Sequence, residues 1–440
     1  MIKSQSLIGP WQTFKTLIID TFASLWPTPH HLAGVGDHRP VRVLQIITRL
    51  IIGGAQETVM LIADYMDETA WHVDVISGPQ TDSEGSLIEE VRRRGVPLTI
   101  EPSLVREVNP LKDIVALIRL TRYIKRGNYA IVHTHSSKAG ILGRWAAWLA
   151  GTPLIVHTVH GWAHHQQQHP LVRGIYIWLE KVTLPITAQL IVVSPRNIEK
   201  GLTDGIGRPE NYVVIRSGIE LDRFGQPQTP PLEMRTALGI PAEATVIGTV
   251  TRLSAQKAPL DFVQAAGQIA QQMPEAWFVI VGDGPLRSEV ETLAKELNLN
   301  DRLVLTGLRR DVPELMATFD LFVLSSLWEG LPRVLPQAMA TGLPIVATAV
   351  DGNAEAVRDR VNGRLVPPGE PEQLARTVIE LLRQPGLMAS MGRAGQDMVG
   401  EFGAQRMVEQ LADLYERLLR QKGLKPVSSP LNPDQMSQDE

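Results

Sequence analysis

Two cations and a carboxylate follow separate apolar segments in the second half of the chain. Arg252 and Lys257 lie in TRLSAQKAP, directly after the apolar run ATVIGTV, and Glu329 lies in SSLWEGLPRVLPQAMATGLPIVAT. A guanidinium and an ammonium group at the carboxyl end of a strand, beside a helix N-terminus, can hold a diphosphate without a metal ion. The alternative is a pair of solvated surface cations.

The turn that contains Glu329 predicts a second anion-binding element. A helix is expected to open at Pro332, so that free amides around Gly330, Leu331 and Arg333 point into a cleft. A carboxylate beside a bound anion is unfavourable unless it accepts hydrogen bonds from ligand hydroxyls. The turn therefore predicts a polyol attached to a phosphate, and a purely structural Glu329 is the alternative.

The glycine pattern of the chain excludes two common nucleotide-binding motifs. The chain has no G-x-x-x-x-G-K-[ST] loop, and Gly282-Asp-Gly284-Pro-Leu-Arg287 lacks the third glycine of a dinucleotide fingerprint. No two aspartates are separated by a single residue, so a D-x-D metal clamp is also absent. Gly53-Gly54 would let the backbone approach a ligand closely, or would simply form a tight turn.

Several histidines cluster at predicted strand ends and just beyond: His133, His135, His157, His160, His164, His165 and His169. His160 and His164 have the i, i+4 spacing of a helical metal site. Gly161 stands where the glutamate of H-E-x-x-H would be, so we predict no metal site. A histidine at the cleft edge that hydrogen-bonds sugar hydroxyls is the favoured interpretation.

Apolar runs alternate with helix-length segments and indicate an α/β fold. The first series is VRVLQII, HVDVIS, YAIVHTH, PLIVHTVH and QLIVVS, with helices expected at 56–67, 84–95 and 111–126. The second series is ATVIGTV, AWFVIVG, RLVLTG, DLFVLSS and PIVAT, and the proline-rich segment 225–233 between the series predicts a linker. Two doubly wound domains that face each other across a cleft follow from this pattern.

Composition and chain ends limit the remaining possibilities. The 440 residues carry a net charge of −4 and no cysteine, which excludes disulfides and disfavours a dedicated nucleic-acid binder. No signal-peptide layout and no run of membrane-spanning length is present, so we expect a cytoplasmic protein. Residues 1–40 are predicted to be an extension in which 11–26 forms a docked or interfacial helix. Residues 423–440 are predicted to be disordered.

The ordered motifs resemble the retaining glycosyltransferases of family 4, which have the GT-B fold. The resemblance runs from about residue 41 to residue 420 and includes VLQIITRLIIGGAQE, VHTHSSKAGILGRWAA, VHTVHGW, VVSPRNIEKG, VIRSGIELDRF, GTVTRLSAQKAP, IVGDGPLR and LTGLRRDVPELMATFDLFVLSSLWEGLP. It implies an acceptor-binding Rossmann-like domain over 41–222 and a donor-binding one over 223–402. The final helix, 403–422, would cross back onto the first domain.

By this resemblance, the second domain binds a nucleotide-diphosphate sugar, which is a co-substrate, so that no cofactor is expected. Arg252 and Lys257 would hold the diphosphate and stabilise the leaving nucleotide. Glu329 matches the first glutamate of the family's paired-glutamate motif and would contact the donor sugar. The backbone near Leu308 and Arg309 would face the base.

The resemblance also gives roles to the first domain and shows one departure. The Gly53-Gly54 loop would close over the donor phosphates, and His160 would face the sugar near the reacting carbon. The family's second glutamate, which binds ribose, is replaced by Gln337, whose amide oxygen still accepts a hydrogen bond without the assistance of charge.

The implied reaction is a metal-independent hexosyl transfer with retention to a glycan or lipid-linked acceptor in polysaccharide or cell-envelope biosynthesis. A nucleotide-sugar 2-epimerase of the same fold and a non-catalytic sugar-nucleotide-binding relative are the alternatives. The segment Leu111–Arg126 carries five basic residues and one acidic residue. It predicts peripheral contact with anionic membrane at the inner face of the cell membrane, or a solvated helix face.

Overall fold

The apolar runs of the first series form one parallel sheet. In this computed structural model, residues 40–80, 85–164, 168–299, 301–350 and 352–424 are described. The strands are β1 Val41–Ile47, β2 Trp71–Ser77, β3 Leu98–Ile100, β4 Ile131–His135, β5 Leu154–Val159, β6 Gln189–Val192 and β7 Tyr212–Val214. Their spatial order is β3-β2-β1-β4-β5-β6-β7, which is doubly wound about the junction of β1 and β4.

Six α-helices of the described chain connect these strands: α1 Gly54–Tyr65, α2 Ile88–Arg93, α3 Pro110–Gly127, α4 Ser137–Ala150, α5 Pro170–Thr183 and α6 Pro195–Thr203. Three of them begin with a proline after a capping side chain. Asn109 accepts a hydrogen bond from the amide of Lys112, Ser194 from that of Arg196, and His169 from that of Leu171. His169 is therefore explained as a helix cap.

The second series forms the second parallel sheet, from β8 Thr245–Val250, β9 Ala276–Val281, β10 Leu303–Gly307, β11 Leu321–Leu324, β12 Ile345–Thr348 and β13 Gly363–Val366. Its order, β10-β9-β8-β11-β12-β13, reverses between β8 and β11. The helices of this lobe are α7 Leu221–Gly225, α8 Pro231–Ala237, α9 Pro259–Gln272, α10 Arg287–Glu296, α11 Val312–Met316, α12 Val334–Thr341, α13 Asn353–Ala356, α14 Pro371–Leu382 and α15 Pro385–Met398.

The last helix, α16 Ala404–Gln421, returns to the first lobe, as predicted. Leu411, Tyr415 and Leu419 are buried in one cluster with Val43 and Leu61 of the first sheet and its α1 helix. The two crossings between lobes lie side by side, since the amide of Ile219 bonds to Phe402 and the amide of Ala404 bonds to Ile219, both at 2.9 Å. The architecture is therefore two Rossmann-like lobes joined by two adjacent chain segments.

The segment 225–233 lies within the second lobe and not between the lobes. Phe224 of α7 and Met234 of α8 belong to the same buried cluster, and the predicted domain border at 222/223 falls inside α7. The sequence patterns also missed β3, β7 and β13, which have only three, three and four residues and lie at or beside sheet edges. Proline content indicated a loop, but it could not distinguish a loop within a lobe from a linker between lobes.

Two predicted segments lie outside the described residues. These are the N-terminal extension up to residue 39 and the tail from residue 425. In the part of the chain that the structure covers, no helix is both long enough and apolar enough to span a bilayer.

Candidate active site

The reversal points of the two sheets face each other across a cleft of about 1980 Å³. In doubly wound sheets, ligands bind beyond the carboxyl ends of the strands at such points. Every residue that the sequence singled out for the site lines this cleft: Gly53, Gly54, His160, Arg252, Lys257, Leu308, Arg309, Glu329, Gly330, Leu331, Arg333 and Gln337. The structure brings these residues together, while their roles stay predictions.

The loop after β8, which carries Arg252 and Lys257, is attached to the loop after β11. The amide of Leu327 donates to the carbonyl of Gln256 at 2.8 Å, and the side chain of Gln256 donates to the carbonyl of Trp328 at 2.9 Å. Ser325 Oγ donates to the carbonyl of Lys257 at 3.1 Å. These bonds hold the cation loop and the Glu329 loop as one unit.

Lys257 and Glu329 form an ion pair on the floor of the cleft. The Lys257 ammonium donates to Oε1 of Glu329, and Ser326 Oγ donates to the same oxygen at 2.6 Å. The side chain of Glu329 is only 5% exposed. The protein itself therefore compensates the carboxylate, and the charge of Glu329 does not require ligand hydroxyls as the sequence argument assumed.

Gly282 and Gly284 serve loop packing and not a dinucleotide fingerprint. A Cβ atom on Gly282, whose φ is +136°, would lie 1.9 Å from the carbonyl oxygen of Thr251. A Cβ on Gly284 would lie 2.4 Å from that of Leu253, and the amide of Leu253 donates to the carbonyl of Asp283 at 3.0 Å. The loop after β9 thus supports the loop that carries Arg252.

The turn before α12 is more extended than predicted, because the helix begins at Val334 and not at Pro332. Within the described ranges, the amides of Gly330 and Leu331 donate no hydrogen bond. They are therefore free to donate to an anion in the cleft. Gln337 lies one turn into α12 and is buried against the cleft wall.

Arg333 connects the two lobes. Its guanidinium forms an ion pair with Glu57 of α1 and donates through Nε to the carbonyl of Gly218 at 3.1 Å. A Cβ on Gly54 would lie 3.2 Å from Cδ of Arg333, so this glycine allows close packing of the arginine. Two of the three guanidinium nitrogens of Arg333, Nη1 and Nε, are thus bound by protein groups.

The region predicted to face the base lies at the rim of the cleft. Leu308 is 46% exposed, and the Arg309 guanidinium donates through Nε to Asp311 at 2.8 Å, which raises the pKa of Arg309 above its ordinary value. The neighbouring Arg310 donates to the carbonyl of Ser86 in the first lobe at 2.8 Å. The rim is therefore bridged from lobe to lobe beside Leu308.

His160 enters the cleft from the loop after β5 and opposes the Gly330 turn. A Cβ on Gly330 would lie 2.8 Å from the carbonyl oxygen of His160, so the two lobes touch here. Its ring nitrogen Nε2 hydrogen-bonds Nδ1 of His135 at 3.0 Å. Burial, with a smaller contribution from the Arg333 charge, lowers the pKa of His160 to about 3, so the ring is neutral at pH 7.

Four other histidines at or just beyond the strand ends each hydrogen-bond a side chain of the protein. His133 and His135 are fully buried among protein partners and do not line the cleft. His157 and His164 line the cleft, but His157 bonds Thr134 and His164 bonds Asp204, both at 2.9 Å. The residues covered by the structure contain no group of three His, Asp or Glu side chains able to hold a metal ion.

Comparisons with known proteins agree with this architecture. Residues 232–398 match the model of the family described as glycosyl transferases group 1, and residues 53–218 match a glycosyl transferase 4-like domain. The chain is 32% identical over 384 residues to the UDP-Gal:alpha-D-GlcNAc-diphosphoundecaprenol alpha-1,3-galactosyltransferase of Escherichia coli, covering 86% of this chain and 97% of that one. It is 29% identical to the glycosyltransferase EpsD of Bacillus subtilis, described there as putative, over 80% and 90% of the two chains.

Solved structures have the same fold. Anabaena HepE, determined in complex with UDP and glucose, superposes with a TM-score of 0.75 over 86% of this chain and all of its own, at 22% identity. WaaG, a glycosyltransferase involved in lipopolysaccharide biosynthesis, superposes with a TM-score of 0.67 over 84% and 99% of the two chains, at 19% identity. At these identities the superpositions establish the two-lobed fold.

Proposed function

The chain belongs to glycosyltransferase family 4 and is a nucleotide-sugar-dependent glycosyltransferase, and we propose that it transfers a hexose with retention and without a metal ion to a lipid-linked acceptor. The observation that carries this proposal is the paired Lys257–Glu329 unit at the reversal point of the second sheet, with Arg252 on the same loop. It faces His160 across the cleft. The relatives support the more general assignment, a transferase in glycolipid or polysaccharide biosynthesis.

In the proposed donor complex, the diphosphate lies against Arg252, Lys257 and the amides of Gly330 and Leu331. These four groups provide a guanidinium, an ammonium and two unused backbone donors on one side of the cleft. Such groups stabilise the negative charge that develops on a departing nucleoside diphosphate, which is the role that a divalent cation has in other transferases. Transfer should therefore proceed when metal ions are chelated.

The proposed sugar position is between Glu329 and His160. Glu329, whose carboxylate accepts from Lys257 and Ser326, is the candidate acceptor for sugar hydroxyls. Leu308 and Arg309 at the rim would contact the base, and Gln337 would accept from the ribose. For retention, the acceptor hydroxyl attacks on the leaving-group side, the bond from the anomeric carbon to the phosphate oxygen breaks, and a donor phosphate oxygen takes the hydroxyl proton.

The proposed acceptor is a glycan on a lipid diphosphate. The name of the Escherichia coli relative specifies a diphosphoundecaprenol acceptor, and that protein matches 86% of this chain. Arg196 and Lys200 of α6 line the first-lobe wall of the cleft. Two cations on this wall suit an acceptor diphosphate in the same way as Arg252 and Lys257 suit the donor.

The first lobe also offers a surface for the lipid. Leu111, Ile114, Val115 and Ile118 are exposed at helical spacing on α3, and the five basic residues of this helix are exposed as well: Lys112, Arg119, Arg122, Lys125 and Arg126. An exposed apolar stripe flanked by basic residues is typical of helices that lie in an anionic interface. We therefore propose peripheral attachment at the inner face of the cell membrane through α3.

A second helix extends this surface. Leu171, Val172, Ile175 and Trp178 of α5 are exposed, with Trp178 at 56%. Helix α4 packs against both α3 and α5, so the three helices form one layer of the lobe. By contrast, the consecutive arginines Arg92, Arg93 and Arg94 of the same lobe form ion pairs with carboxylates of the protein.

The deciding experiment measures transfer or hydrolysis across a panel of nucleotide sugars, in EDTA, with a glycan-diphospholipid acceptor. Turnover of one donor that survives EDTA and is lost in Lys257→Ala supports the proposal. Lys295→Ala, an exposed lysine of the second lobe, is the matched control. The anomeric configuration of the product, determined by NMR, shows whether transfer retains the configuration of the donor sugar. Donor binding without turnover would favour the non-catalytic relative, and conversion of the donor to its 2-epimer would favour the epimerase.

A further inference from the structure

A continuous row of hydrogen bonds runs from the last helix to the cleft. The side-chain amide of Gln45 on β1 donates to Tyr415 Oη of α16 at 3.3 Å. Gln45 Oε1 lies 2.6 Å from Nε2 of His135 on β4, and Nδ1 of His135 lies 3.0 Å from Nε2 of His160. Four side chains from four separate elements thus connect α16 with the cleft.

The three inner members of this row are removed from solvent. Gln45, His135 and Tyr415 each have 0% relative exposure. In the strand VRVLQII, Gln45 is the only polar residue apart from Arg42, which lies near the start of the strand. Buried polar side chains are unfavourable unless their hydrogen bonds are satisfied, so each donor in the row needs an acceptor opposite it.

The direction can be read from Gln45. Its amide group donates to Tyr415, and its carbonyl oxygen can only accept, so Nε2 of His135 carries the hydrogen. Burial lowers the pKa of His135 well below its ordinary value, so the ring is neutral and its Nδ1 is an acceptor. His160 must then donate from Nε2, and as a neutral ring it has a bare Nδ1.

The branch beyond Tyr415 is consistent with this direction. Tyr415 Oη lies 2.6 Å from Nδ1 of His133, and Nε2 of His133 lies 2.6 Å from Oγ1 of Thr158. Having accepted from Gln45, the tyrosine hydroxyl can donate its proton to His133, which in turn donates to Thr158. Every buried atom in the row then has a partner of the complementary kind.

We propose that Gln45, His135 and Tyr415 are positioning residues that hold His160 as its Nε2–H tautomer, so that Nδ1 accepts a hydrogen bond from a hydroxyl group of the bound sugar. His160 lines the cleft, and Nδ1 has no hydrogen-bond partner in the described part of the chain. The identity of the ligand hydroxyl rests on the proposed function, whereas the tautomer does not.

The opposite tautomer would place a donor in the cleft. If the Gln45 amide were turned over, His135 and then His160 would each reverse, and Nδ1–H of His160 would face a sugar hydroxyl as a competing donor. The orientation of the Gln45 amide, with its NH₂ group toward Tyr415, therefore selects the tautomer of His160. Through this row, the last helix, α16, influences whether Nδ1 of His160 presents a lone pair or a hydrogen to the cleft.

The first test is a ¹⁵N NMR measurement of the histidine rings in the full-length protein, with His160 assigned from a His160→Gln variant. The expected wild-type pattern is a protonated Nε2 and an unprotonated Nδ1 for His160. Gln45→Leu should give a mixture of tautomers, while Gln45→Glu, which can accept from both neighbours, should keep the wild-type pattern. A wild-type Nδ1–H signal, or an unchanged pattern in Gln45→Leu, would overturn the proposal.

The second test is kinetic and uses Tyr415→Phe against Tyr129→Phe. Tyr129 is another buried tyrosine of the same lobe, and its hydroxyl donates to Asp74 at 2.6 Å, outside the row. We expect Tyr415→Phe to lower kcat roughly 5- to 10-fold with an unchanged donor KM, as for one misplaced hydrogen bond in the transition state. Tyr129→Phe should leave kcat unchanged.

The two measurements separate failure of this inference from failure of the proposed function. Equal kcat in both tyrosine variants, with the tautomer altered in Gln45→Leu, would remove the positioning role while leaving the transferase assignment intact. A wild-type protein that turns over no nucleotide sugar would overturn the proposed function. The NMR pattern would then still decide whether the row fixes His160.

Discussion

The ammonium group of Lys257 donates to the carboxylate of Glu329 across 72 positions of sequence. The pair lies at the reversal point of the second sheet, where a ligand phosphate and a ligand sugar would meet. Each residue therefore has a partner in the protein as well as a proposed partner in the ligand. This double role makes stability and activity separable by substitution.

Lys257→Ala should destabilise the protein as well as abolish transfer. The change leaves Glu329 buried without its cation, which costs about 1–3 kcal/mol of unfolding free energy. The double variant Lys257→Ala with Glu329→Gln should recover most of that loss, because the remaining amide is neutral, and should stay inactive. Thermal unfolding and donor turnover of the three proteins test this. Equal unfolding temperatures for Lys257→Ala and wild type would contradict it.

Acidification should destabilise the protein through its buried histidines. Burial lowers the pKa of His133 and His160 to about 3, whereas an unfolded chain titrates near 6.5. Between these values the unfolded chain binds protons that the folded chain does not, so the free energy of unfolding falls as pH falls. Each such histidine contributes up to about 1.4 kcal/mol per pH unit.

Urea titrations from about pH 8 to about pH 5 measure this dependence. His133→Gln removes one linked proton, so its unfolding free energy should be lower at neutral pH but should decline less steeply on acidification. An equally steep decline in the variant would show that His133 is not one of the groups responsible.

The helix layer of the first lobe should bind anionic vesicles. Replacing Ile114 and Ile118 of α3 with serine, or Leu171 and Ile175 of α5, removes exposed apolar side chains without opening the core. We expect either pair to weaken co-sedimentation with vesicles that contain anionic lipid, and raised salt to weaken it further.

Val361→Ser provides the control for this measurement, because Val361 is a similarly exposed apolar residue of the second lobe. Its binding should equal that of the wild type. If the α3 and α5 variants also bound as the wild type does, the membrane surface proposed for these helices would be wrong.

Gly330→Ala should hold the two lobes apart. The new Cβ would lie 2.8 Å from the carbonyl oxygen of His160, and both groups are backbone-fixed, so the lobes must separate to relieve the contact. We expect kcat to fall on the order of 10-fold, because displacing the reacting groups by less than about 1 Å lowers the reaction rate strongly. Unfolding temperature should change little, since the contact lies between lobes.

Gly386→Ala is the matched control, because a Cβ there meets no atom within 4 Å. It should match the wild type in kcat and in radius of gyration by small-angle scattering. A Gly330→Ala variant with wild-type kcat and scattering would show that the contact of Gly330 with His160 does not limit closure.

Much of the site was predictable because strand ends are recognisable in sequence. Apolar runs located β8 and β11, and parallel strands bring their carboxyl ends together, so Arg252, Lys257 and Glu329 were expected in one cleft. The ion pair itself was not predicted, because hydrogen-bond partners 72 residues apart depend on side-chain directions that periodicity does not contain.

Two other features escaped the sequence for identifiable reasons. The exposed apolar stripe of α3 shares its helical period with the buried stripe formed by Ala116, Leu120 and Ile124, so the pattern could not assign the faces. The row from Tyr415 to His160 had one available signal, the glutamine within VRVLQII. A single polar residue in a buried strand indicates a specific partner, but only the docked α16 shows which one it is.

The return of α16 to the first lobe reverses the usual order of folding during synthesis. Apart from Val193, the second core lies in one continuous stretch from about residue 219 to residue 402, so that lobe can form as soon as it leaves the ribosome. The first core needs Leu411, Tyr415 and Leu419, which are made only after the second lobe. The first lobe must therefore wait, with its apolar strands incompletely covered, until the second lobe and α16 have been synthesised. A truncation of only the final helix would consequently damage the lobe encoded first.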